Sequence, residues 1–209
     1  LGINLAVVRA MLDKGLIEEI KANATAQARH STDRLVPIEP NPEQQKAIAA
    51  VKKTFNSYQC HLLHGITGSG KTEVYLNAVE SLLENGKQLL VLVPEIGLTP
   101  QLLHRFQKHF PQYSIVSLHS GLSDGDRTRA WLGAKSGAIQ IIIGTRSTVF
   151  TPMLNLGAIV IDEEHDASFK QQEGFLYQGR DLAIKRAYDL SIPILLGSAT
   201  PSLESLHNV

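Results

Sequence analysis

The stretch Gly65-Ile66-Thr67-Gly68-Ser69-Gly70-Lys71-Thr72 decides how this chain reads. It satisfies G-x-x-x-x-G-K-[ST] at every fixed position. Before it runs Cys60-His61-Leu62-Leu63-His64, short and apolar enough for a buried strand. After it, Val74, Leu76, Ala78, Val79 and Leu82 carry a helical apolar spacing. Strand, glycine loop and helix are the context that separates this motif from a chance Gly-rich turn. Gly65, Gly68 and Gly70 let the backbone curl until its N–H groups, those of Thr67 and Ser69 included, converge on an anion. The helix that starts there adds a partial positive charge. Lys71 can reach β- and γ-phosphates, and the Thr72 hydroxyl can hold Mg²⁺.

Outward from this loop, apolar runs alternate with helical segments. The runs are 60–64, 89–93, 114–118, 139–143, 158–161 and 193–196, with helices expected at 43–56, 71–85, 99–109, 124–136 and 179–190. Continuous Val/Ile/Leu runs between helices indicate an α/β fold with a parallel sheet covered by helices on both faces. Right-handed crossovers then bring the strand C-terminal ends to one edge, where ligands bind. Pro42 and Glu43 open the first of these helices. Residues 23–41, polar and ending among Pro37, Pro40 and Pro42, read as a linker. Residues 2–22 read as helix, Gly15, then the short strand Leu16-Ile17-Glu18-Glu19-Ile20. That pattern suits the last helix and first wing strand of a winged-helix module, and equally any short helix–strand pair.

Composition narrows the classes. The chain has 209 residues, 43% hydrophobic and 19% charged, as expected of a globular protein rather than a disordered one. Lys plus Arg and Asp plus Glu are both 20, so a nucleic-acid site must rest on local clusters and not on bulk charge. Cys60 is the only cysteine, which excludes an internal disulfide and a cysteine zinc site. No run is long and apolar enough to span a bilayer. The start at Leu1, with no methionine or signal-like n-region, reads as an excised piece of a longer cytoplasmic protein.

Two more stretches carry chemistry. Ala158-Ile159-Val160-Ile161 runs into Asp162-Glu163-Glu164-His165. An acid at a strand end beside a phosphate loop anchors Mg²⁺, and Glu163, one residue on, can orient and deprotonate the attacking water. The alternative for an isolated Asp-Glu pair is a solvated turn. Gly197-Ser198-Ala199-Thr200-Pro201 also follows an apolar run; Ser198 and Thr200 can bond the acid cluster or the γ-phosphate.

In this order, Gly65–Thr72, Asp162–His165 and Ser198–Thr200 resemble motifs I, II and III of superfamily 2 helicases. Gln44 resembles the Q motif, Leu92-Val93-Pro94-Glu95 motif Ia and Gly144-Thr145-Arg146-Ser147 motif Ib. Leu118–Ser123 and His165–Gln172 are similar to the primosomal replication-restart helicases. That resemblance implies a RecA-like first lobe over 42–209, with residues 1–22 as the end of a winged-helix domain. It implies ATP and Mg²⁺ as ligands and an ATP-driven translocase that unwinds 3′ to 5′ at stalled forks. Partners implied are forked and single-stranded DNA, other primosome proteins and single-stranded DNA-binding protein, with zinc in another part of the parent. Gln44 would read adenine, Lys71, Asp162 and Glu163 would form the catalytic set, and Ser198 and Thr200 would couple hydrolysis to unwinding. Thr145 and Arg146 would touch the single-strand backbone. By the same resemblance an isolated lobe is expected to be inactive.

The segment 166–181 has its own physical reading. Phe169, Phe175 and Tyr177 lie among Lys170, Gln171, Gln172 and Arg180. Aromatics interleaved with donors can stack bases while tracking phosphates, and the alternative for each is a place in the core. Leu176 and Gly179 depart from the family pattern of a basic residue and Ala, so Leu176 is not carried over as a DNA contact. Trp131 reads as core, and Arg127 and Arg129 as a solvated face, with DNA contact as the alternative for both. A GTPase would need N-K-x-D, which is absent, and a nucleotide kinase would not explain Gly144–Ser147 and Ser198–Thr200. A non-catalytic DNA-binding module is compatible with residues 1–22 but not with intact Lys71, Asp162 and Glu163.

Overall fold

In the computed structural model, which describes residues 39–94 and 99–208, the chain enters the fold at a capped helix. Helix α1 (Pro42–Lys52) has Asn41 as N-cap, Pro42 in its first turn and a reciprocal capping box with Gln44. Such a cap satisfies first-turn N–H groups and contributes about 1 kcal/mol. The order continues β1 (Gln59–His64), α2 (Lys71–Glu84), β2 (Gln88–Leu92), α3 (Thr99–His109), β3 (Ile115–Leu118), α4 (Asp124–Ser136) and β4 (Ile141–Gly144). A 3₁₀ turn (Arg146–Phe150), β5 (Leu156–Ile161), a second 3₁₀ turn (Ala167–Phe169), α5 (Gly179–Asp189), β6 (Pro193–Ser198) and α6 (Leu203–Asn208) follow. The first helix, expected over 43–56, ends at Lys52 with Lys53 as its C-cap, and the turn that follows reaches Asn56, which adopts φ 71°. The winged-helix reading of 1–22, most of the linker and Glu95 lie outside the described residues.

The strands form one six-stranded sheet in the order β1-β6-β5-β2-β4-β3, every pairing parallel. Successive side chains of a strand point to opposite faces. Leu89, Val91, Ile141, Ile143, Ala158, Val160 and Leu195 meet α1, α2 and α3 on one face. Leu90, Ile142, Ile159, Ile161, Ile194 and Leu196 meet α4 and α5 on the other. Each fully buried aliphatic side chain contributes about 1.5–3 kcal/mol. Continuous apolar runs are therefore stable here, where an alternating pattern would leave polar groups against a helix layer.

The fold expected from the sequence is thus the one observed, with a difference at the edges. β1 is half-buried because it has a neighbour on one side only. Cys60 is accordingly partly covered, and burial together with the nearby Glu164 charge pushes its thiol up to about 11. Such a thiol is not a nucleophile at neutral pH. Trp131, expected in the core, is 39% exposed; the buried stripe of α4 is Ala130 and Ala134. Arg127 and Arg129 pair with Asp124 and Asp126 on the solvated face, as read from the sequence.

Candidate nucleotide site and the adjoining groove

All six strands end at one edge, and their order divides it. The loops after β1, β6 and β5 carry the phosphate loop, the Ser-Ala-Thr turn and the acidic segment. The loops after β2, β4 and β3 carry Pro94, Thr145 and Ser120. β5 is the strand of the first half that borders the second.

In the first half, Gly65, Thr67, Gly68, Ser69 and Gly70 make the turn from β1 into α2. Gly68 and Gly70 adopt φ 81° and 86°, a left-handed conformation that a side chain disfavours. A Cβ on Gly70 would also collide with Gln44 Nε2. Helix α2 begins at Gly70 with no side-chain cap, so its first-turn N–H groups lack the partner that Asn41 gives α1. That is the helix start an anion completes. Lys71 is 8% exposed; its Nζ donates to the Gly65 carbonyl at 2.8 Å and lies 3.4 Å from Glu163 Oε1. Thr72 follows it in the first turn. Gln44 Nε2 donates to the Ser69 carbonyl at 3.0 Å, while its Oε1 accepts from the Asn41 N–H at 2.9 Å. The residue expected to read a base therefore also fixes the phosphate loop against α1.

The acidic segment faces this loop. Asp162 stands just past β5, with its N–H bonded to the Leu92 carbonyl. Burial first, then repulsion from Glu163, raises its carboxyl above the usual carboxylate range. The Tyr75 hydroxyl donates to Asp162 Oδ1 at 3.2 Å and opposes that shift. Tyr75 reaches Asp162 because residue 197 is glycine; any Cβ there would collide with the Tyr75 hydroxyl. Glu163 takes φ 49°, which costs a non-glycine residue about 1–3 kcal/mol. That conformation holds its carboxylate 3.4 Å from Lys71 and 3.7 Å from His165 Nδ1. Ser198 Oγ is 2.7 Å from His165 Nδ1 and accepts from the Thr200 N–H at 3.1 Å. Gln44, Lys71, Asp162, Glu163, Ser198 and Thr200, dispersed in sequence, thus lie around one loop. Tyr75 and His165 complete the arrangement. The sequence signal for Tyr75 was faint: one polar-tipped residue on the buried face of α2.

The second half is a groove of about 400 Å³ lined by Pro94, Ser120, Thr145, Arg146, Ser168 and Tyr177, among others. Arg146 Nη1 donates to the Ser168 and Lys170 carbonyls at 2.8 and 2.7 Å, which ties the 3₁₀ turn after β4 to the segment after β5. Tyr177 is half-buried and packs edge-on against Phe150 at 5.0 Å between ring centroids. Phe150 is 47% exposed and Phe175 77%. Phe150 lies next to the Gly144–Ser147 motif, yet a lone aromatic at a helix end gave no signal in the sequence.

Two expected DNA contacts are corrected. Phe169 is fully buried in the sheet face that faces α4 and α5, so its ring is core and cannot stack a base. Arg180 is 7% exposed and held by Glu164, Asp181 and Glu204. Burial would lower its pKa; the bonds to these three carboxylates raise it instead, and they leave its charge compensated within the protein. Lys170 is exposed. Among the described residues no group of His, Cys, Asp and Glu forms a metal cluster, and no helix is long and apolar enough to cross a membrane.

Known proteins resemble this chain in sequence and in fold. The chain is 49% identical to replication restart protein PriA of Haemophilus influenzae over 210 aligned residues, 98% of this chain and 29% of that protein. It is 42% identical to the Bacillus subtilis PriA over 205 residues, 96% of this chain and 25% of that one. It therefore spans less than a third of the length of these relatives. Among solved structures, RecG bound to a three-way DNA junction matches with a TM-score of 0.60 and 25% identity, over 82% of this chain and 22% of that one. The DEAD-box helicase Mss116, bound to single-stranded RNA and UDP-BeF, shares the fold with a TM-score of 0.58, 20% identity, 79% coverage of this chain and 36% of that one. The sequence model for DEAD/DEAH box helicases runs from residue 41 to residue 209, through every motif placed on the sheet edge, and the chain belongs to that family.

Proposed function

We propose that this chain is the ATP-binding lobe of an ATP-dependent DNA helicase that acts in replication restart, moving 3′ to 5′ at stalled forks. The observation that carries the reading is the convergence of Lys71, Asp162 and Glu163 on an uncapped helix start, in a chain 49% identical to a replication restart protein. The loop backbone and Lys71 bind the phosphates of ATP. Gln44 retains one amide N–H and one oxygen lone pair beyond its two bonds, the pair that an adenine edge requires. Thr72 and Asp162 would hold Mg²⁺, which supplies positive charge to the transferring phosphoryl group. Glu163 orients and deprotonates water, and Ser198 and Thr200 relay the state of the site through His165.

DNA, single-stranded or forked, is the second ligand. Thr145 and Arg146 contact its backbone, since two bonds leave other guanidinium N–H groups for phosphate. Tyr177, with Phe150 beside it, stacks a base, and Lys170 follows the phosphates. Other primosome proteins and single-stranded DNA-binding protein are partners on this reading, zinc belongs to another part of the parent, and the setting is cytoplasmic. Unwinding of a forked duplex by the full-length protein, with ATP but not GTP, is the expected result; a nucleotide switch or passive DNA-binding module would show none. At the site itself, Lys71→Ala should weaken Mg-ATP binding by about 1.5–3 kcal/mol, the contribution of a charge-assisted hydrogen bond. Equal calorimetric affinities for the two proteins would remove Lys71 from the phosphate site.

A further inference from the structure

Tyr75 and Asp162 meet across a strand that carries neither of them. Ala158 and Val160 of β5 pack on the sheet face covered by α1, α2 and α3. The Asp162 N–H extends the ladder to the Leu92 carbonyl, and alternation sends its side chain to that same face. Leu195 of β6 packs there too, so position 197 also points that way. β6 lies between β5 and β1, the strand that feeds the phosphate loop. Tyr75, in α2, is fully buried in this cluster, and its ring crosses β6 at Gly197. A Cβ at 197 would lie 2.8 Å from the ring carbon Cζ and would overlap the hydroxyl itself. Past that point the hydroxyl donates to Asp162 Oδ1 at 3.2 Å.

Packing alone does not call for this pair. A buried phenol needs a partner for its O–H, and a phenylalanine would fill the same space without that need. A glycine inside a strand gives up a side chain to bury, and it marks a place where something must approach closely. Here the close approach delivers one hydrogen bond to one carboxylate. Thr72 and Asp162, the residues that would hold Mg²⁺, stand on different elements, the first turn of α2 and the end of β5. Mg²⁺ takes oxygen ligands and demands near-octahedral geometry, so a hydroxyl and a carboxylate suit it only if their relative placement is fixed. Thr72 and Tyr75 are three residues apart in α2 and share one side of the helix. Tyr75 thus ties the carboxylate to the helix that carries the hydroxyl, and by engaging Oδ1 it fixes the rotation of the group.

We infer that Tyr75 is a positioning residue that sets the Asp162 carboxylate relative to Thr72 for Mg²⁺, and that Gly197 is the gap through which it reaches; the inference rests on the proposed function. Its test uses the full-length protein with Tyr75→Phe, Gly197→Ala and the double variant. Phe keeps the ring and removes the donor, whereas Ala at 197 keeps the donor and drives it away. Calorimetry reads affinity for the non-hydrolysable analogue AMP-PNP, in EDTA and across a Mg²⁺ titration. Electron paramagnetic resonance reads Mn²⁺ bound beside AMP-PNP, since an oxygen ligand set suits that ion too. The Mg²⁺ dependence of ATP turnover and the thermal midpoint complete the set. Affinity in EDTA depends on the phosphate loop and Lys71 and should stay as in wild type. The Mg²⁺ and Mn²⁺ needed for half-saturation should rise about 10–100-fold in each single variant, the usual cost of losing the outer partner of a metal ligand. Turnover should recover at high Mg²⁺. The double variant should need no more metal than the worse single, because one bond is lost in both. Gly197→Ala should also lower the thermal midpoint, because its Cβ must displace a buried ring. A normal metal requirement in either single variant would overturn the inference. So would a fall of EDTA affinity and thermal midpoint together in Tyr75→Phe, which would make Tyr75 a packing residue. A wild-type protein that binds AMP-PNP no more tightly with Mg²⁺ than in EDTA would overturn the metal assignment in the proposed function itself.

Discussion

Glu163→Gln should lower ATP turnover of the full-length protein about 10²–10⁴-fold, the contribution of a positioned general base. The expectation follows from how the residue is held. A left-handed backbone at φ 49° directs its carboxylate toward the phosphate loop, 3.4 Å from Lys71 Nζ. Gln has the same shape and can accept the same hydrogen bond, so the loop and α2 should keep their places and nucleotide affinity should be little changed. What Gln lacks is a basic oxygen that can take a proton from water. Phosphate release at saturating ATP and DNA, beside calorimetric binding, separates the two effects. Turnover close to wild type would assign the base to another group; a matched loss of binding and turnover would make Glu163 a phosphate-loop support.

Phe169→Ala should act on the fold and not on DNA. The ring is fully buried, packed with Leu118, Val149, Ala183 and their neighbours on the face under α4 and α5. Truncating a buried phenylalanine costs about 3–5 kcal/mol, transfer and cavity terms together. At about 2–4 °C per kcal/mol for a chain of this size, the thermal midpoint should fall by about 6–20 °C. A base-stacking Phe169 would behave oppositely, leaving the midpoint in place and weakening single-stranded DNA by about 1–3 kcal/mol. Thermal unfolding and oligonucleotide binding on the same preparation distinguish the two roles.

This contrast within one segment shows what a linear reading can resolve. Phe169 and Phe175 are the same residue type six positions apart, and one is wholly buried while the other is 77% exposed. The spacing holds no 3.6 or 2 periodicity, because the segment is a 3₁₀ turn followed by a hairpin. Arg180 was equally ambiguous. Its three acidic partners lie at positions 164, 181 and 204, and although the sequence puts the strand ends on one edge, it does not say that the loops after β5 and β6 are neighbours there or that the start of α5 meets them.

The sequence by itself determined the parallel sheet, the order of its helices, and the phosphate loop with its acidic and Ser-Ala-Thr companions. The physical reason is that each is a local rule. A strand covered on both faces must be apolar along its length, a helix start must leave its N–H groups for a cap or an anion, and left-handed turns favour glycine. Only the tertiary structure decided which polar and aromatic groups remain available to a ligand. That depends on partners distant in sequence. Tyr75 meets Asp162 across a glycine at 197, Phe150 meets Tyr177, and Arg180 meets Glu164. Each of those contacts exists because the strand order β1-β6-β5-β2-β4-β3 brings separate loops to one edge, and no local rule encodes that order.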